Sequence, residues 1–202
     1  MRKLFSLSLA FLMATFLVGC SFEGESHSSS NKTKSTSIEL NNKISTIESI
    51  KPQTDKLASS VSDKLALKEV FVSLQDGNFD TGTVSYIYYS ESNGYATKMT
   101  IKIDTAQNKI VETKVQKGSP DEVGGAMKMN DVNTSKNIRD FAKKVCESED
   151  FKSALTTEFG TTVFDTTGQY TLDLDFFVGS THVVATKNSD KKNFFDSNIS
   201  NS

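Results

Sequence analysis

Thr83–Asp104 reads TVSYIYYSESNGYATKMTIKID, and this stretch decides the fold. Its first seven residues are β-branched, aromatic or small, as strands require. Ser92-Asn93-Gly94 then supplies a hairpin turn, because Asn-Gly accepts positive φ at both central positions. After the turn, Met99, Ile101 and Ile103 alternate with Thr100, Lys102 and Asp104. That is the period-2 pattern of a half-buried strand. Lys109–Gln116 continues the pattern less strictly, with Ile110 and Val111 leading to Val115. The three runs predict an antiparallel meander with one buried face.

Working outward, Val70-Phe71-Val72 and Leu74 form a short apolar run that ends at the turn signal Asp76-Gly77-Asn78. Downstream, 118–132 reads as a loop, and Gly124-Gly125 in it marks flexibility or a close backbone approach. Residues 134–160 read as the main helical segment. Thr134 or Ser135 caps it, Ile138, Phe141, Ala142, Val145 and Cys146 share one face, a restart falls near Ser148, and Gly160 ends it. Strands are predicted at 161–164, 169–178 and 181–186. In the middle one Tyr170, Leu172, Leu174 and Phe176 alternate with Thr171, Asp173 and Asp175. The fold class expected is α+β, a small antiparallel sheet packed against one main helical segment across residues 69–188.

Residues 38–68 read as a helical element broken by Pro52, with Leu40, Ile44 and Ile47 before the break and Leu57, Val61 and Leu65 after it. Thr54 or Asp55 would cap the second half. The element either packs on its own domain or projects as a stalk. Residues 189–202 read as a flexible tail, in which Phe194-Phe195 could dock.

The chain begins with Arg2-Lys3 and an apolar run to Val18, uncharged until Glu23. About fifteen apolar residues are short for a bilayer-spanning helix, which needs ~20. Leu17-Val18-Gly19-Cys20 resembles the lipobox of bacterial lipoproteins. The resemblance implies a signal peptide over 1–19, cleavage before Cys20, and a diacylglycerol on that cysteine. It places the protein on the extracytoplasmic face of the cell membrane. Two acyl chains hold where one is marginal. Residues 20–37 then form a Ser/Thr/Lys tether.

Composition narrows the function. The chain has 23 Lys and Arg against 25 Asp and Glu, a formal charge of −2, and no basic stripe. Nucleic acid is therefore not an expected partner. With Cys20 lipidated, Cys146 is the remaining thiol, so no internal disulfide is expected. A Cys146–His182 nucleophilic pair is conceivable, but Cys146 sits on an apolar helix face, where thiols are inert. Asp173 and Asp175 share one strand face and could meet a hard cation, although simple alternation also explains them. No zinc, phosphate-loop or nucleophile-elbow motif is present.

Asp175-Phe176-Phe177-Val178-Gly179-Ser180-Thr181 also resembles the flavinylation motif of FMN-binding domains. Asp175, Gly179 and Thr181 match; Val178 and Ser180 depart from it. That resemblance implies an electron-transfer flavoprotein with FMN esterified to Thr181. The principal expectation is different: a non-enzymatic, lipid-anchored module without a cofactor. It would bind an envelope protein or small ligand through Tyr86, Tyr88, Tyr89 and Tyr95, since tyrosine gives rigid amphipathic contact area.

Overall fold

The computed structural model describes residues 29–124, 132, 136–160, 167–177 and 179–200. Among these residues eight strands, three α-helices and a short 3-10 turn (Phe79–Thr81) are formed: β1 (Ser30–Glu39), α1 (Ile47–Ser59), β2 (Ala66–Gln75), β3 (Gly82–Ser92), β4 (Tyr95–Asp104), β5 (Lys109–Gly118), α2 (Ile138–Glu147), α3 (Glu149–Phe159), β6 (Tyr170–Phe176), β7 (Ser180–Lys187) and β8 (Asn193–Ser200). All strands are antiparallel in one sheet, ordered β1-β5-β4-β3-β2-β6-β7-β8. The domain is α+β but sheet-dominated, broader than a small sheet against one helical segment.

The predicted meander is β3–β5. Its first turn has Asn93 at φ 54° and Gly94 at φ 71°, the conformation Asn-Gly favours. β2 extends the meander and turns at Asp76 (φ 52°) and Gly77 (φ 68°). A Cβ on Gly77 would come within 2.4 Å of the Cys146 sulfur, so side-chain crowding adds to the backbone demand for glycine. The Asp76 carboxylate accepts from the backbone N–H groups of Gly168, Gln169 and Tyr170, pinning the start of β6 beside the end of β2.

All three helices lie on one face of the sheet. Ile47, Ile50 and Ala58 of α1, Ile138, Phe141 and Val145 of α2, and Phe151 and Leu155 of α3 share a core with the inward residues of the strands. Val70, Val72 and Leu74 meet Phe176, Leu174 and Leu172 in register across β2–β6, and all six are fully buried. The break between α2 and α3 falls at Ser148, whose side chain accepts from Phe151 N, and Gly160 ends α3 at φ 86°. The cap of α2 is Asn137, accepting from Asp140 N; Thr134 and Ser135 lie outside the described residues, as do Gly125 and 161–166.

Three expectations are corrected. The tether does not extend to residue 37: Ser30–Glu39 pairs with β5 along the sheet edge. Neighbouring backbone hydrogen bonds hold a strand whose polar side chains bury almost nothing. The tail is not loose either, because Asn193–Ser200 pairs with β7 and Phe195 packs edge-on against Phe151 at 5.2 Å. Residues 38–68 are not two helices around a break. Pro52 lies inside α1, which Thr46 caps. Proline there removes one hydrogen bond near the helix start. Burial of Ile47, Ile50, Thr54 and Ala58 along one stripe outweighs that loss.

Phe151 also meets Tyr170 and Phe194, joining α3 to both β6 and β8. Phe151→Ala should lower unfolding stability by ~3–5 kcal/mol, measured by urea denaturation. An unchanged midpoint would contradict this packing.

Candidate functional site

The face of the sheet turned away from the helices is open over much of its area among the described residues. Register fixes which side chains share it. In β2, Glu69, Phe71 and Ser73 point outward. Phe71 stands opposite Asp175 and Ser73 opposite Asp173, while across β6–β7 Asp175 meets His182. Asp196 of β8 accepts or shares a hydrogen bond with His182 Nε2 at 2.9 Å. On the other side of Phe71, Ser85 and then Lys102 continue the row. The face therefore carries an acidic half built on β2, β6 and β8, around the half-buried ring of Phe71.

These carboxyls are poorly compensated. The Oδ1 atoms of Asp173 and Asp175 are buried without a hydrogen-bond partner. Burial pushes Asp175 up to about 7, with repulsion from Glu69 adding to it and His182 opposing it. Burial likewise raises Asp173, against a hydrogen bond from Ser73. Glu69 is raised by burial, against the attraction of Lys98. Such a surface favours cationic or hydrogen-bond-donating groups beside its carboxyls. It offers no grouping of three or more His, Cys, Asp or Glu side chains suited to a metal ion among the described residues.

The tyrosines behave otherwise than expected. Tyr86, Tyr88 and Tyr89 are 0%, 1% and 3% exposed. Tyr86 donates to the carbonyl of Ile47 at 2.8 Å, and Tyr88 donates to Asp55 at 2.7 Å while sharing a hydrogen bond with Thr54. Both tie β3 to α1, so Thr54 is a core polar partner, not a helix cap. Burial drives both phenols well above the ordinary tyrosine range. Tyr89 points to the opposite face, where it is buried with Ala96 and Val123. Burial and its bond to Glu91 push it up to about 12. None of these three is an exposed contact residue; Tyr95 is half-buried. A groove of ≈ 420 Å³ does open beside the Tyr88 network, lined by Lys51, Asp55, Leu65 and Leu67 among others.

The flavinylation pattern is not brought together. Phe177 N donates to Ser180 O at 3.0 Å, closing a tight β6–β7 hairpin. Strand alternation puts Asp175 on the open face and Thr181 on the helix-covered face, where it is 0% exposed. Gly179 lies in the hairpin turn, and Val178 lies outside the described residues. Cys146 and His182 are likewise on opposite sides of the sheet. The thiol lies under α2 beside Tyr170, with burial raising it above its ordinary value. Cys20 lies outside the described residues, and no described helix is long and apolar enough to cross a membrane.

Sequence reasoning found Asp173 and Asp175 and set His182 with Cys146 instead of with them; Glu69 and Asp196, in other strands, join the site only through register.

No family model matches the chain, and no curated protein does. A solved structure with some similarity is the 12:0-ACP thioesterase from Umbellularia californica. It is 10% identical over 88% of this chain and 96% of that one, with a TM-score of 0.18. A likeness that slight carries no argument about fold or function.

The charge arrangement predicts a pH dependence. Asp175 holds its proton to about pH 7 when folded, against 3.8 ordinarily. Its contribution to stability is therefore greatest below about pH 4 and is lost as pH rises through 7. Asp175→Asn should be more stable than the wild type above pH 7 by about 1–3 kcal/mol, after discounting for solvent screening. The gap should close near pH 4 in thermal melts. A gap that widens on acidification would contradict the assignment.

Proposed function

We propose that the chain is a membrane-anchored extracytoplasmic lipoprotein, held through a diacylglycerol on Cys20, that binds a partner at the cell envelope without catalysing a reaction. The observation that carries the anchor is the coincidence of a small residue and a cysteine, Gly19-Cys20, at the end of an apolar run too short to span a bilayer. The binding role rests on the open sheet face. Phe71 provides an apolar centre, and the partly buried carboxyls of Glu69, Asp173 and Asp175 ring it with hydrogen-bond acceptors. An apolar centre with unsatisfied polar groups around it is the composition of a docking patch. Basic or donor-rich envelope proteins fit it best. No observation favours flavin, since Asp175 and Thr181 lie on opposite faces.

Two experiments test the reading. In detergent cloud-point separation the exported wild type should enter the detergent phase and Cys20→Ser the aqueous phase. Aqueous partitioning of the wild type would remove the anchor. In cells, Phe71→Arg should lose cross-links to an envelope partner while keeping the wild-type melting midpoint. Cross-linking that survives this change would move the binding surface elsewhere.

A further inference from the structure

The two edges of the sheet are built differently. The β1 edge carries Lys32 and Lys34 and an irregularity between Ser35 and Ile38, devices that discourage another strand from pairing there. The β8 edge has no lysine, and no irregularity along Phe195–Ser200. Asn193–Ser200 contains no Lys and no Pro, its single charge is Asp196, and its irregularity is confined to its first residues, opposite Ala185 and Thr186. It ends the strand order, so its outer row of backbone donors and acceptors has no strand partner among the described residues.

Its side chains suit one particular occupant. A second copy of β8, laid antiparallel about a two-fold axis at Ser197, sets Phe195 opposite Ile199 of the other copy and Asp196 opposite Asn198. The same contacts repeat with the copies exchanged. Phe195 and Ile199 lie on the helix-covered face and are only partly buried, so each would cover the other. An aromatic against a β-branched residue is a favourable cross-strand pair. The one acidic side chain meets an amide instead of its own copy. Ser197, which meets itself, is small and uncharged. This is the self-complementarity an isologous interface requires.

We propose that the protein forms a two-fold dimer by pairing β8 with β8 of a second copy, joining two eight-stranded sheets into one. The pairing is independent of the open-face binding role.

The test uses the full chain in detergent. The wild type should sediment as a concentration-dependent dimer. Under mild oxidation Ser197→Cys should form a disulfide-linked dimer well above the wild-type background. Directly opposed residues in an antiparallel pair have Cα atoms about 4.5–5.5 Å apart, within the range a disulfide spans. Asn193→Cys lies several residues out of register with its own copy and should stay at background. Ser197→Lys, which opposes like charges on the axis, should sediment as a monomer with its melting midpoint retained. If that variant fails to fold, the two cysteine variants decide the matter. A wild type monomeric throughout the concentration series overturns the proposal, as does cross-linking at 193 equal to that at 197.

Discussion

The pairing of β2 with β6 is the contact on which the rest of this molecule depends. It sews two local meanders, β2–β5 and β6–β8, into a single sheet through Val70, Val72 and Leu74 against Phe176, Leu174 and Leu172. The paired segments are far apart in the chain, so closing the seam costs loop entropy before burial repays it. α2 and α3 lie on the route back, and they return over the face that already holds α1. With every helix on one face, the other is open over much of its area among the described residues, save where the Val123 loop covers Tyr89. The open face is a consequence of the seam, and so is the meeting of Glu69 with Asp175, since neither is near the other without it.

That meeting works against stability. Three carboxyls with raised proton affinity sit on adjoining strands, and two of their oxygens are buried without partners. Replacing such groups with neutral ones is an easy way to stabilise a fold. Unsatisfied polar atoms around a half-buried aromatic ring are the kind of local inconsistency expected where a surface is built to meet something else. His182 and Asp196 compensate on one flank only.

Elements that bury one face were legible in the sequence. β3 announces itself by β-branched and aromatic residues, β4 and β6 by alternation, the β3–β4 turn by Asn-Gly, and the α2–α3 break by Ser148. β1 and β8 were not legible as strands, for a physical reason. SNKTKSTSIE buries little on either side, so it carries no period; its conformation is imposed by β5. Phe194-Phe195 signalled docking, but nothing local says that docking comes with a ladder to β7. Pro52 misled because a local rule about proline cannot see the buried stripe that holds α1. Tyr88 and Tyr89 are adjacent and buried on opposite faces, since α1 covers one and the Val123 loop the other. No periodicity in the strand itself encodes a two-sided cover. Of the candidate site, the acidic face of β6 could be read directly, whereas Glu69 and Asp196, and the place of His182 beside Asp175, arrive through register.

The proposed anchor and the proposed dimer would constrain one another. From Cys20 to the first residue of β1 there are roughly ten links of chain, which cannot reach beyond about 35 Å. An antiparallel strand pair in a continuous sheet has its two-fold axis perpendicular to that sheet. Two copies tethered symmetrically to one bilayer must have the same axis along the membrane normal. Both conditions hold together only if the joined sheet lies roughly parallel to the membrane, with β1 at each outer end. One face then looks at lipid and the other away from it. The helix-covered side presents mixed charges, such as Lys51 beside Asp55 and Lys143 beside Glu147. The open face divides in charge, with Glu69, Asp173 and Asp175 on one half and Lys98, Lys102 and Lys114 on the other. With the helices toward the leaflet, that arrangement would leave Phe71 and its surrounding carboxyls facing outward, within reach of an envelope partner.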